Sequence, residues 1–400
     1  MRYSIETVRR LAASYGSPLY VFNEAEFLKN YEHFEGCFRC LYDYYRISYS
    51  FKTNYAPYIC RLVKQQGGLA EVVSDMELEI AQSIGYENSQ IVYNGPCKGL
   101  HAIEHLKKGG ILNVDNFEEL DNILNIAGSD RSASYKIGIR VNIDIGQSFI
   151  SRFGIDECDL DKAFALVSKY SNVKIIGIHC HIGRSRGLTA WENRIQSMLR
   201  LADRYFKDPP EYISLGSGMF GVMDPELAVQ FSDNIPTFEQ YAETVAGAMA
   251  EHYKHAEKHP VLFTEPGTTL VNKYIDFIAK VTAVKHIKGR TFIVINGSKH
   301  NIGEICELKR LPIQVIRSGN PQENVKDADF VGYTCLEHDV PYRGYTGAIA
   351  VGDYVVFGNV GGYSNVSKPP FISPNCAMIS STGAVIKRRE SVREVMCTYE

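Results

Sequence analysis

Between residues 40 and 270 the chain alternates two textures: short runs of β-branched and aromatic residues, and longer stretches whose apolar positions recur at helical spacing. The runs occupy residues 46–51, 69–73, 90–93, 111–114, 136–142, 173–179, 212–215 and 261–264. Helical periodicity fills the gaps, most plainly at 76–84, 118–126, 160–169, 192–206 and 238–259. Eight strand–helix alternations over roughly 230 residues match a closed (β/α)8 TIM-like barrel better than an open doubly wound sheet. Beyond Gly267 the texture changes. Residues 274–286, 291–295, 313–316, 329–333 and 348–357 read as strands joined by turns, with no long helical pattern. They predict a second, all-β unit, a barrel or sandwich. The first 25 residues hold a short helix at 5–15 and a strand at 18–22 that suit either unit. The expected layout is an N-terminal segment over 1–25, a barrel over 26–270 and a β domain over 271–400.

Composition narrows the class. Four hundred residues, 45% hydrophobic and 22% charged, suit two cores rather than one. A net charge of -3 leaves no basic surplus for phosphate backbones, so no nucleic-acid partner is expected. No run approaches the ~18 uninterrupted apolar residues of a membrane span, and residues 1–7 carry charges where a signal peptide has an apolar core. A cytoplasmic protein with no membrane partner is expected. The ten cysteines are scattered, which predicts reduced thiols.

In a barrel, chemistry sits at the C-terminal ends of the strands. The residues just beyond the runs are Lys52, Glu71 and Ser74, Asn94 and Gly95, Asn142, His179, His181 and Gly183, Gly216-Ser217-Gly218, and Glu265-Pro266-Gly267. Lys52 follows an apolar, aromatic-rich run, where an amine is poorly solvated and suited to imine chemistry. The glycine turn at 216–218 lets backbone N–H groups approach a phosphate. Glu265 can serve as the anionic partner of a pyridinium nitrogen. His181 can stack on a planar ring. With His179 on the same strand face it could also hold a metal, but no third ligand stands at a recognisable spacing and no metal is expected.

Lysine, His-x-His-Ile-Gly, glycine turn and Glu-Pro-Gly, in that order ahead of a β domain, resemble the fold-type III decarboxylases that depend on pyridoxal 5'-phosphate, the diaminopimelate, ornithine and arginine decarboxylase relatives. The resemblance covers nearly the whole chain. It extends to Ser151-Arg152-Phe153-Gly154, to Gly332-Tyr333-Thr334-Cys335 with Asp339, and to Gly352-Asp353 with Gly361-Gly362-Tyr363. It implies Lys52 as the imine-forming lysine, His181 stacked on the cofactor ring and Glu265 on the ring nitrogen. It implies phosphate binding by the 216–218 turn and Tyr363, and a homodimer in which Cys335 and Asp339 reach the neighbouring subunit's site. Glu71, Ser74, Pro266 and Gly267 complete the expected cofactor surroundings.

The departures bear on the substrate, an amino-acid-like small molecule. The family's Glu-Pro-Gly-Arg ends here in Thr268, and its His-Ile-Gly-Ser reads His181-Ile182-Gly183-Arg184, with Ser185 one place late. A cation has left one loop and entered another. The acidic residue that follows the cysteine in many relatives is Leu336 here, with Glu337 next. The loop 301–312 offers Glu304 and Arg310, the latter a candidate for a substrate carboxylate. The implied activity is decarboxylation of an L-amino acid or a derivative, with Cys335 as the proton donor. The alternatives weighed are an amino-acid racemase on the same architecture and a non-catalytic pyridoxal-binding regulator.

Overall fold

The computed structural model describes residues 3–146, 150–231 and 234–399. Its strands, numbered along the chain, begin with β1 (Leu19–Phe22). There follow β2 (Tyr45–Ser50), β3 (Leu69–Val72), β4 (Ile91–Tyr93), β5 (Ile111–Val114), β6 (Tyr135–Asn142), β7 (Ile155–Asp156), β8 (Val173–His179), β9 (Tyr212–Ser214) and β10 (Val261–Thr264). Two compact units emerge: Asn30–Phe220 with Asp233–Thr269, and Met1–Lys29 with Gly221–Ser232 and Leu270–Glu400.

The first unit is the barrel. Strands β2 to β6 and β8 to β10 pair in parallel, and β10 returns to β2 with Leu262 opposite Tyr45, closing the ring of eight. The two-residue β7 pairs with the end of β6. All eight sequence-predicted runs are strands, shifted by a residue at most. They were legible because strands covered on both faces are rich in buried β-branched and aromatic residues. Helices cover the outside. Phe117–Ser129 starts at Asn116, whose side chain accepts the Glu119 N–H, and buries Leu120, Ile123, Leu124 and Ala127 at helical spacing. Each such leucine is worth roughly 1.5–3 kcal/mol of burial. The predicted helix at 238–259 stops at Tyr253 and contains a π-turn over Glu243–Gly247.

The second unit is built on β1. It pairs antiparallel with β11 (Ile275–Ile287) and parallel with β17 (Ala377–Ser380) inside a nine-stranded sheet. The other members are β12 (Arg290–Ile295), β13 (Ile313–Ile316), β14 (Glu323–Val331), β15 (Tyr342–Ile349), β16 (Tyr354–Phe357) and β18 (Val385–Lys387). The N-terminal segment therefore belongs to this unit. Val8 of its helix, Leu19 and Val21 share a buried cluster with Ile278, Val356 and Ile379. The run 348–357, expected as one strand, is two. Asp353 breaks it by accepting Ala350 N–H at 2.8 Å and Ser318 N–H at 2.6 Å, which ties the turn at Gly352-Asp353 to the end of β13.

Candidate active site

Lys52 stands two residues beyond β2, with its Nζ 2.7 and 2.9 Å from the two carboxylate oxygens of Glu71 on β3. Ser50 is in register with Glu71 and donates its hydroxyl to the same carboxylate at 2.6 Å. The lysine is thus matched by a carboxylate that is itself 1% exposed. The amine that follows the apolar run is one half of an ion pair.

Glu265, also 1% exposed, follows β10. It accepts from Ser214 Oγ at 3.0 Å and Asn94 Nδ2 at 2.9 Å, and faces His179 Nε2 at 3.1 Å and His181 Nδ1 at 3.5 Å. Burial alone would raise this carboxyl. The His179 and His181 rings and their hydrogen bonds outweigh it and hold Glu265 well below the usual carboxylate range. Burial has the opposite sign for His181, which is pushed down to about 4, so its ring is neutral at pH 7. Its Nδ1 receives the Ser217 N–H at 3.4 Å.

The glycine turn is shaped by close approach. A Cβ on Gly216 would fall 2.6 Å from the Cys180 carbonyl and 2.7 Å from His181 Nδ1; on Gly218, 2.5 Å from the Ile182 carbonyl. Both have positive φ, +60° and +109°. Behind the turn lies Arg194, fully buried on the helix Leu188–Tyr205, which donates to the carbonyls of Leu215, Ser217 and Ile182 at 3.0 Å each. One guanidinium thereby fastens the turn after β9 to the loop after β8. Sequence reasoning missed it, since an arginine inside a helix pattern reads as a solvated face.

Other expected residues have narrower local roles. Ser74 caps the helix Asp75–Ser83, its hydroxyl accepting the Glu77 N–H at 3.3 Å. Thr268 opens the short helix Thr268–Val271, and Arg184 is exposed on its loop while Ser185 is half-buried. In the β unit, Glu304, Arg310, Cys335, Glu337 and Tyr363 are exposed. Asp339 is not: it is 2% exposed and accepts from Ser298 Oγ at 3.0 Å, Lys299 N at 2.8 Å and Thr334 Oγ1 at 2.7 Å. Its carboxylate is hydrogen-bonded within the turn that carries Cys335.

All ten cysteines are free thiols. Cys37-Phe38-Arg39-Cys40 is a Cys-x-x-Cys spacing that the reading of the cysteines as scattered passes over. Cys37 groups with His33 and Glu239 within 4.8 Å, and the His33–Glu239 pair at 2.8 Å on the surface accounts for the grouping.

A family profile for the pyridoxal-binding domain of pyridoxal-dependent decarboxylases matches residues 25–272. The chain belongs to the pyridoxal-dependent decarboxylases. It is similar to the diaminopimelate decarboxylase of Aquifex aeolicus, 27% identical over 310 residues that cover 74% of this chain and 70% of that one. The diaminopimelate decarboxylase of Neisseria meningitidis serogroup B is 24% identical over 97% of this chain and 94% of its own. In fold, this decarboxylase matches the diaminopimelate decarboxylase of M. jannaschii in co-complex with L-lysine, with a TM-score of 0.84 at 23% identity over 98% of this chain and 94% of the other. The cofactor of the decarboxylase is pyridoxal phosphate, and its barrel fits that group: a lysine at a strand end, an ionised buried carboxylate, and a glycine cradle that a Cβ would fill.

Proposed function

We propose that this pyridoxal-dependent decarboxylase removes the α-carboxylate of an L-amino acid or amino-acid derivative at a site in which Lys52 is the covalent anchor. The bound cofactor supplies an electron sink for the pair released with CO2. Lys52 holds the cofactor through its amine, with Glu71 orienting that amine. Glu265 keeps a proton on the ring nitrogen, and the neutral His181 lies against the ring. The glycine turn at 216–218 and Tyr363 receive the phosphate, with Arg184 replacing the cation missing at Thr268. Cys335 delivers the proton to Cα, and Arg310, with Glu304 and Glu337 nearby in sequence, reads the far end of the substrate. The functional unit is a homodimer with shared sites.

The observation that carries this reading is the single hydrogen-bonded network joining Lys52, Glu71, Asn94 and Glu265 at the strand ends, with the His181 ring beside it. Leu336 and Thr268, where relatives differ, point to a substrate other than free diaminopimelate. The test is a screen of free, N-conjugated and C-conjugated amino acids for CO2 release. Lys52→Ala is expected to abolish both turnover and the visible band of the bound cofactor. Turnover at the wild-type rate in that variant would remove Lys52 from the chemistry.

A further inference from the structure

We propose that Asn94 is a positioning residue that locks the carboxylate of the lysine and the carboxylate of the ring nitrogen into one rigid unit, and that its orientation is set from across the barrel by Tyr212 through Asn113. The inference rests on the roles of Lys52 and Glu265 proposed above.

The amide nitrogen of Asn94 donates to Glu265 Oε1 at 2.9 Å and to Glu71 Oε1 at 3.2 Å. Its oxygen accepts from Asn113 Nδ2 at 2.8 Å, and Asn113 Oδ1 accepts from Tyr212 OH at 2.7 Å. Asn94 and Asn113 are at most 2% exposed and Tyr212 is 3% exposed. The direction of this chain is forced from its carboxylate end. An ionised carboxylate only accepts, so Asn94 must turn its NH2 toward Glu71 and Glu265. Its oxygen then faces Asn113, which must present its own NH2. The Asn113 oxygen is left facing Tyr212, whose hydroxyl must donate. No amide in the chain can flip without setting a buried acceptor against an acceptor, at a cost of about 1–3 kcal/mol.

The barrel is built to admit this chain. Asn113, Gly138, Gly177 and Tyr212 are register partners across four neighbouring strands, β5, β6, β8 and β9. A Cβ on Gly138 would fall 1.9 Å from the Tyr212 hydroxyl and 2.1 Å from Asn113 Oδ1; on Gly177, 2.5 Å from the tyrosine ring. Glycine weakens a strand interior, and here two in one row leave the space through which Tyr212 reaches Asn113. Tyr212 also belongs to the apolar cluster of Leu69, Val92, Ile176 and Phe263, so the network is anchored in the barrel's apolar core.

The ionisable groups around the network are Lys52, Glu71 and Glu77, Arg140, Cys180, His179 and His181, Tyr212 with Glu211 beside it, and Glu265. Asn94 alone among the named residues donates to both carboxylates. Removing its donors leaves Glu71 a stronger acceptor toward Lys52, which then holds its proton to higher pH. The experiment is a pH titration of the visible band of the pyridoxal phosphate-loaded protein, which reports protonation at the Lys52 nitrogen. Asn94→Leu, similar in volume, is expected to raise the midpoint by about one unit and to weaken pyridoxal phosphate binding. Tyr212→Phe should move the midpoint the same way by less, and should add nothing in the Asn94→Leu background, because the tyrosine acts only through the amides. Wild-type midpoints in both single variants, or additive shifts in the double variant, would overturn the proposal. If Asn94→Leu does not fold, the same cycle with Asn113→Leu and Tyr212→Phe decides it. A wild-type protein that shows no visible band when loaded would instead remove the assignment of Lys52 and, with it, this proposal.

Discussion

Glu265 and Glu77 are both buried carboxyls in the barrel, and their surroundings send them in opposite directions. Glu265 meets two histidine rings, a serine and an asparagine, and stays ionised. Glu265→Gln is expected to keep the cofactor bound but lower kcat by on the order of 10²–10³, the loss seen when one electrostatic stabiliser is removed; an unchanged kcat with normal cofactor content would rule the role out. Glu77 is raised to about 7 by burial, with Glu71 adding to the effect and only the Val73 N–H opposing strongly. Its folded pKa lies above its unfolded value of 4.5. Stability is therefore complete below about pH 4.5 and is lost as pH rises through 7. Relative to wild type, Glu77→Gln should gain on the order of 3 kcal/mol between pH 5 and pH 8, from a shift of this size. Urea unfolding at the two pH values checks this, and parallel losses in both proteins would contradict it. Lys52, His181 and Glu265 were legible in the sequence because polar residues ending apolar runs stand out. Asn113 and Tyr212 were not, since both lie within strands and only their convergence across the barrel gives them a task.

At the level of elements, the eight barrel strands were legible because each is a short run rich in β-branched and aromatic residues and most are followed by a periodic helix. The β unit was read less completely. Tyr342–Ile349 is half-exposed along most of its length and interrupted by glycines, so it lacks both the alternation and the apolar run that mark a strand. Strand β14 begins six residues earlier than the sequence suggested, because Glu323–Asp327 is held by pairing with β15 rather than by burial. Among connecting elements, the turn at 216–218 carries the sharpest expectation. Gly218→Ala places a Cβ against the Ile182 carbonyl at positive φ. Strain of about 1–3 kcal/mol in the turn proposed to receive the phosphate should weaken pyridoxal phosphate binding about tenfold or more. Gly67→Ala is the control: φ is +84° but nothing lies within 4 Å of the added Cβ. It should cost stability and leave cofactor affinity unchanged. Equal affinity losses in both variants would show that the close contact with Ile182 is irrelevant.

For the whole molecule, the proposed dimer makes a stoichiometric prediction. Two-fold symmetry with shared sites means that inactive Lys52→Ala subunits mixed with inactive Cys335→Ala subunits should recover about a quarter of wild-type activity, since half the dimers are mixed and each mixed dimer has one intact site. No recovery after proven subunit exchange would mean that each site is built from one chain. No helix among the described residues is long and apolar enough to cross a membrane. The position of β1 also imposes an order on biosynthesis. Its neighbours in the sheet are β11 and β17, with Leu19 opposite both Ile278 and Ala377. At ~5–20 residues per second the ribosome needs roughly 20–70 s to travel from Leu19 to Ala377. All the barrel's strands are synthesised within that interval. The β unit must therefore hold its first strand without a sheet while the barrel is made, which exposes Leu19–Phe22 to chaperones early and makes the closing strands the last step in which the nascent chain can go wrong.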